Sequence, residues 1–310
     1  MNTRPWPIAL LLCSLIVGCL PQPPAPTTTG LRVVCTTTLV ADLVRTIGGE
    51  AVDVEALMGP QIDPHRYQPT SGDIEKLSRA QLVFFHGLHL EGKMTDVLEN
   101  NPRLKGIAIT RDIPVRELLS GGMDGGAHDP HVWFDRDLWT VCAGTVLGEL
   151  RVAMPEKAVQ FQANYDRWCA GVAAKLAPLE ENLKALPAER KILVTSHDAF
   201  EYFGRRYGFA VHGLQGVSTS NETGTTEIGK LADLIGTKKI PAVFTETSVQ
   251  NKGLARVLDD VRTRYRWDVA FIGGEQALYS DALGEATGPA GDYAGMMAHN
   301  LTVILKALSP

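Results

Sequence analysis

The chain has 310 residues, with 30 Lys and Arg against 35 Asp and Glu, 45% hydrophobic residues and five cysteines. That length accommodates two domains, and the ordinary apolar content excludes disorder as its general state. A net charge of −5 does not supply the basic face that phosphate neutralisation needs, which excludes nucleic acid as a partner, and five cysteines are too few for a disulfide scaffold.

In chain order, residues 1–18 predict an export leader. Arg4 gives the positive start, and Ile8 to Val17 is almost wholly apolar. That run spans only about 15 Å as a helix, half of a roughly 30 Å hydrocarbon core, so a leader fits better than a membrane anchor. It ends Leu15-Ile16-Val17-Gly18-Cys19, which resembles a bacterial lipobox and implies acylation of Cys19. Residues 19–30 carry Pro21, Pro23, Pro24 and Pro26 among threonines, a composition suited to an extended tether. Cys35, Cys142 and Cys169 remain, an odd set expected to stay as free thiols.

The body then alternates. Leu31–Thr38 reads as a strand, Leu39–Ile47 as a helix closed by Gly48-Gly49, and Val52–Met58 as a second strand. Ser71–Ala80 reads as a helix with Ser71 as its cap, and Gln81–Phe85 as a short buried strand. Such alternation predicts an α/β layer with a parallel sheet. From Pro155 the texture changes to Ala, Glu, Lys, Gln and Leu, which predicts one long helix ending before Pro187, about 45 Å in length. Pro178 lies inside and is expected to kink or break it. Afterwards Lys191–Thr195, Pro241–Glu246 and Asp268–Ile272 read as strands, and Ala199–Tyr207, Asn251–Arg264 and Tyr293–Leu308 as helices. The expected plan is an N-terminal α/β lobe over 31–154, a linking helix over 155–187 and a C-terminal α/β lobe over 188–310.

Histidine placement carries the chemistry. Asp-Pro-His occurs twice, at Asp63-Pro64-His65 and Asp129-Pro130-His131, and His197 sits just past a strand in Thr195-Ser196-His197-Asp198. Loops leaving the carboxyl ends of parallel strands face the ligand crevice of open α/β sheets. Asp63, Asp129 and Asp198 are candidates to accept the far ring N–H of each neighbouring histidine and so fix its tautomer; Glu246 is a further candidate for that task. By pattern alone, metal ligation and ordinary polar loop positions stay equally open for His65, His131 and His197.

Four segments together resemble a known family: Met58-Gly-Pro-Gln-Ile-Asp-Pro-His-Arg-Tyr-Gln-Pro69, Asp129-Pro-His-Val-Trp-Phe-Asp135, Ser196-His-Asp-Ala-Phe-Glu-Tyr-Phe203 and Leu278-Tyr-Ser-Asp-Ala-Leu-Gly284. In order and context they are similar to the metal-binding lipoproteins that serve zinc- and manganese-type ABC importers. The resemblance implies two parallel-sheet α/β lobes joined by one long backbone helix, with Mn²⁺ or Zn²⁺ held between them as cargo by His65, His131, His197 and Asp281. Asp281 enters only through the resemblance, since an Asp between Ser280 and Ala282 otherwise reads as a turn residue. A closed set of four ligands holds an ion without activating water, which implies a carrier and not an enzyme. The implied partners are a membrane permease and, through the lipid anchor, the membrane itself, with the protein working as a monomer outside the cytoplasm, on the periplasmic or cell-surface side.

Two departures bear on metal identity. Manganese-type members of the family often carry Glu where this chain has His197, whereas zinc-type members often have a long His-rich loop before the second ligand. Here Leu118–Asp129 is short and glycine-rich with only His128, so the expectation is mixed preference. Affinity should fall below about pH 6, where free imidazoles protonate. The rival reading is a surface adhesin with a structural metal. His86 and His89 are expected near the cleft mouth and His128 as a shuttle, with His212 and His299 as ordinary polar residues. Gly224–Lys230 has P-loop spacing, but Leu231 stands where a magnesium-binding hydroxyl belongs, so it reads as a helix start. Gly-x-Ser-x-Gly is absent, and adjacency of Ser196 to His197 does not make a catalytic pair.

Overall fold

The computed structural model describes residues 30–101, 104, 106–122, 127–220, 224–250 and 252–309. The expected leader, Cys19 and the tether up to Thr29 lie outside them.

The N-terminal half builds a parallel four-stranded sheet in the order β2-β1-β3-β4. Its strands are β1 (Leu31–Cys35), β2 (Val52–Ala56), β3 (Leu82–Phe85) and β4 (Gly106–Ala108). β1 and β3 are interior strands and carry unbroken buried runs, Val33-Val34-Cys35 and Leu82 to Phe85, as expected of strands covered on both faces. β1 ends three residues before the expected Thr38. Thr37 instead caps α1 (Thr38–Gly48), accepting the Val40 N–H at 3.3 Å. Helix α2 (Ser71–Arg79) is capped by Thr70 and not by Ser71: Thr70 and Asp73 form a reciprocal capping box, which satisfies two orphan N–H groups at once. After α3 (Thr95–Asn100) and β4 comes α4 (Arg136–Ala153), an 18-residue helix opened by the Asp135 side chain.

The long helix is α5 (Ala158–Lys184), preceded by a 3-10 turn at Pro155–Lys157. At 27 residues it spans about 40 Å and packs against α1, α4 and the C-terminal helix α9 (Tyr293–Leu308). It runs through Pro178 without a break. Pro178 and Ala174 are both exposed, so water can satisfy the Ala174 carbonyl that the proline leaves unpaired.

The C-terminal half alternates β5 (Ile192–His197), α6 (Glu201–Tyr207), β6 (Ala210–Gln215), α7 (Thr225–Lys238), β7 (Ala242–Phe244), α8 (Lys252–Tyr265), β8 (Ala270–Ile272) and α9 (Tyr293–Leu308). β5 pairs with β6 and β7 with β8, all parallel, and β5 lies beside β7. Gly213 of β6 is required by a close approach: a Cβ there would meet the Asp198 backbone N at 2.3 Å, where the chain leaves β5. The P-loop-like stretch opens α7, with Gly224 at the cap position.

One apolar cluster runs through both halves, from Leu39 and Val44 through Trp139, Phe161 and Leu176 to Phe203, Tyr293 and Leu301. Within it Phe134 and Phe200 stack at 4.3 Å between centroids. Separate clusters sit on the outer faces, around Leu77, Val83 and Phe85 in one lobe and Ile235, Val243 and Val257 in the other. Beside the stacked rings, Asp135 accepts from Arg206 at 2.8 Å and Arg205 at 3.1 Å, with Glu180 of α5 lying 3.6 Å from Arg206. This partly buried network joins the two halves along the long helix. Cys35, Cys142 and Cys169 are free thiols. Among the described residues no helix is long and apolar enough to cross a membrane.

Candidate metal centre

Each half contributes two donors to one buried point. The chain leaving β2 turns at Asp63-Pro64-His65 into a short 3-10 turn, with Pro64 in its first position and Asp63 Oδ1 accepting the His65 N–H at 2.9 Å. The second Asp-Pro-His repeats this bond, Asp129 Oδ1 accepting the His131 N–H at 2.9 Å. His197 is the last residue of β5. Asp281 follows β8 in a loop that Trp133 holds by donating Nε1–H to the Ser280 carbonyl at 2.9 Å.

The four side chains converge. His131 Nε2 lies 3.3 Å from both His65 Nε2 and His197 Nε2. Asp281 Oδ1 lies 3.5 Å from His131 Nε2 and 3.4 Å from His197 Nε2. All four donor atoms fall within 4.8 Å of one another, and all four residues are buried. Ligands about 2.0–2.1 Å from a tetrahedral ion sit roughly 3.3–3.4 Å apart along each edge. Four of the six edges match that spacing, and the two from His65 to His197 and Asp281 stay within 4.8 Å.

The supports of the rings differ from one histidine to the next. Asp129 Oδ1 also lies 2.7 Å from His131 Nδ1, so it holds main chain and ring together. For His197 that place belongs to Glu246: Oε1 accepts the His197 N–H at 2.8 Å and Oε2 lies 2.5 Å from Nδ1. Asp198 does not take the position expected for it, because alternation along an extended chain turns it away from its neighbour's ring; burial, followed by the charge of Asp129, raises its pKa to about 6. Nor is Asp63 at the ring of His65. Its second oxygen accepts from Thr219 Oγ1 of the other half at 2.6 Å, and Ser220 Oγ donates to the His65 carbonyl at 3.2 Å. Burial and the charge of Asp281 raise the Asp63 carboxyl above its usual range.

His86 is far from a cleft mouth. It is fully buried, donates Nε2–H to the Pro130 carbonyl at 2.6 Å and packs edge-on against Trp133. Burial lowers its pKa to about 3, so a neutral imidazole props the second Asp-Pro-His from beneath. Glu91 in turn accepts the His86 N–H at 2.6 Å and the Thr36 hydroxyl at 2.8 Å. His89 is exposed and His128 half-buried. Tyr202 completes the scaffold by donating to the Asp129 carbonyl at 3.0 Å. Thr219, Trp133 and Tyr202 carried no local sequence signal for these tasks. Only the Val132-Trp133-Phe134 run marked a buried aromatic segment.

The electrostatics describe a pocket short of positive charge. Burial alone would depress His131, but Asp129 and Asp281 push it up to about 9. Burial likewise opposes His197, yet Glu246 and Asp281 hold it well above the ordinary imidazole value. His65 lacks a carboxylate against its ring, and burial leads its fall to about 3. The Asp281 carboxyl is held well below its usual range because His197 and His131 outweigh burial. Its Oδ1 is buried without a hydrogen-bond partner. His131 and His197, each with Nδ1 against a carboxylate, aim Nε2 inward beside the Asp281 oxygen, and an entering cation takes the place of the Nε2 protons. These shifts also move the expected pH window upward from pH 6.

A cavity of about 710 Å³ adjoins the centre between the halves, bordered by Asp63, Arg66, Ser196, Thr219 and Ser248. Its walls are neighbours of the four donors and not the donors themselves; another cavity of about 750 Å³, between β2 and α2, lies apart from the centre.

Comparison with known proteins gives concordant findings. A model of the family described as "ZnuA: Zinc-uptake complex component A periplasmic" matches residues 33–307. The zinc-binding protein TroA of Treponema pallidum is 41% identical over 281 residues, covering 89% of this chain and 88% of that protein. The manganese-binding lipoprotein MntA of Bacillus subtilis is 40% identical over 279 residues, 90% of each chain. The solved structure of the periplasmic zinc-binding protein TroA from Treponema pallidum superposes with a TM-score of 0.85 at 40% identity, covering 91% of this chain and all of that one.

Proposed function

This chain belongs to the ZnuA family, and from that premise we propose that it is the solute-binding component of an ABC importer, capturing Zn²⁺ or Mn²⁺ between its two halves and delivering the ion to a membrane permease. The ion is cargo, and His65, His131, His197 and Asp281 ligate it. The observation that carries this reading is the convergence of the four buried donors with the edges of a metal polyhedron. Two donors come from each half, so a small opening at the cleft, with the shared core and the long helix holding, splits the ligand set and lowers affinity. Four protein ligands leave no position at which the ion could activate water, which makes the protein a carrier and not an enzyme. Residues 1–18 serve as the export leader, acylated Cys19 as the anchor, and the protein works as a monomer on the outer side of the membrane. A surface adhesin with a structural metal is not favoured, because each half has its own outer apolar cluster and needs no ion as a core.

Calorimetry on the full chain and on Asp281→Ala tests the assignment. The wild type should bind one Zn²⁺ or Mn²⁺ per chain and surrender it to chelator while staying folded. The variant should lose affinity by more than about 100-fold, beyond the range of an outer support. Wild-type affinity in Asp281→Ala would remove that residue from the ligand set, and unfolding on chelation would make the metal structural.

A further inference from the structure

We propose that Ser248 sets the metal preference of the centre by holding Asp281 to a single ligating oxygen. This extends the four-donor reading and rests on it. The two oxygens of Asp281 have different surroundings. Oδ1 faces the Nε2 atoms of His131 and His197 and accepts no hydrogen bond. Oδ2 accepts from Ser248 Oγ at 3.2 Å. Ser248 Oγ also lies 2.9 Å from Ser280 Oγ. A carboxylate only accepts, so the Ser248 proton goes to Asp281 and the Ser280 hydroxyl donates to Ser248. The result is a relay in which each bond polarises the next.

The backbone keeps that relay in register. Beyond β7, the Thr247 N–H donates to the Leu278 carbonyl at 3.0 Å and the Leu278 N–H to the Thr245 carbonyl at 2.8 Å. The Trp133 indole fixes the Ser280 carbonyl. One short segment therefore supports both C-terminal ligands, His197 through Glu246 and Asp281 through Ser248.

Coordination number follows from this. With Oδ2 engaged, Asp281 offers one oxygen and the set totals four, the number that zinc takes with nitrogen and carboxylate ligands. With Oδ2 released, the carboxylate can chelate through both oxygens, raising the oxygen share and the coordination number, which suits Mn²⁺. Ser248 borders the cavity between the halves, so removing its hydroxyl frees Oδ2 without breaking any contact other than those to Asp281 and Ser280 described above.

The test compares the full-length wild type with Ser248→Ala and Ser248→Thr. Zn²⁺ and Mn²⁺ affinities are measured by chelator competition, and the visible spectrum of the Co²⁺ form reports coordination number. In Ser248→Ala the preference for Zn²⁺ over Mn²⁺ should fall by about tenfold, within the range of outer supports. The Co²⁺ bands should lose intensity as the ion leaves four-coordination, and Ser248→Thr, which keeps the hydroxyl, should restore both. An unchanged preference and spectrum in Ser248→Ala would overturn the role of Ser248 and leave the four-donor reading standing. So would equal weakening for both metals with a wild-type spectrum, the mark of a purely structural residue. A wild-type protein that binds neither metal would refute the four-donor reading and Ser248 with it.

Discussion

Replacing Glu246 by Gln tests how far the metal centre depends on a residue that never touches the ion. Glu246 is fully buried in its side chain, and both its oxygens face donors of one residue: the His197 N–H at 2.8 Å and Nδ1 at 2.5 Å. Glutamine keeps the shape but has one acceptor and one doubly donating nitrogen. It cannot accept from both groups. If its oxygen stays on the backbone N–H, its NH₂ faces Nδ1, and the relaxed arrangement moves the ring proton to Nε2, where it occupies the lone pair meant for the ion. The expected loss is about 10–100-fold in metal affinity, or about 1.4–2.7 kcal/mol. Chelator competition at pH 7.5 measures it, and nitrogen-detected NMR of the His197 ring in the metal-free protein reports the tautomer. The deficit should narrow as pH falls, because wild-type His197, held well above the ordinary value by Glu246 and Asp281 against burial, must shed a more tightly bound proton. A Glu246→Gln affinity within twofold of wild type, or a deficit that widens towards pH 6, would refute this reasoning.

Proton release should accompany capture: His131 is raised to about 9 and His197 well above its ordinary value, so calorimetry at pH 7 in buffers of different ionisation enthalpy should show about two protons displaced per ion. The sign follows, with affinity climbing as pH rises through about 9, where His131 sheds its proton; displacement near zero at pH 7 would contradict it. Thr219→Val removes the 2.6 Å bond to Asp63 that ties one half to the other, worth about 1.5–3 kcal/mol for a charged acceptor, and stopped-flow chelation should show metal leaving at least about tenfold faster. Away from the centre, burial leads the rise of Asp42 to about 7 while Oδ2 accepts the Tyr293 N–H at 3.0 Å. The folded state therefore holds a proton that the unfolded chain releases near pH 4, and stability declines as pH rises from about 4 to 7, by at most about 4 kcal/mol and less where water screens its partly exposed side. Asp42→Asn keeps an acceptor and should raise Tm at pH 8 while leaving Tm at pH 4.5 nearly unchanged, as thermal melts would show.

The histidines were legible because each carries a local mark, a repeated tripeptide or the end of an apolar strand. Asp281 carried none, and only its place in four ordered segments singled it out. Helix α4 escaped the reading of periodicity although Leu138, Trp139, Cys142, Val146 and Leu150 share one buried face, because the opposite face carries Thr140, Gly144, Gly148 and Val152 in place of charged residues, which blurs the polar side that periodicity needs. Gly144 and Gly148 weaken its propensity further. Strands β4 and β6 escaped for other reasons, one being three residues long and the other interrupted by Gly213. The choice of Glu246 over Asp198 for His197, the tie from Thr219 to Asp63 and the prop from His86 to Pro130 join residues 44 to 156 positions apart. Such partners are settled by how sheets and loops stack, which no local pattern records.

Crystals grown with Zn²⁺, with diffraction recorded on both sides of the metal's absorption edge, test the central claim most directly. The account predicts one anomalous peak per chain, about 2.0–2.2 Å from Nε2 of His65, His131 and His197 and from Oδ1 of Asp281. A map with no peak among these four atoms, and zinc held by another set of residues, would contradict it.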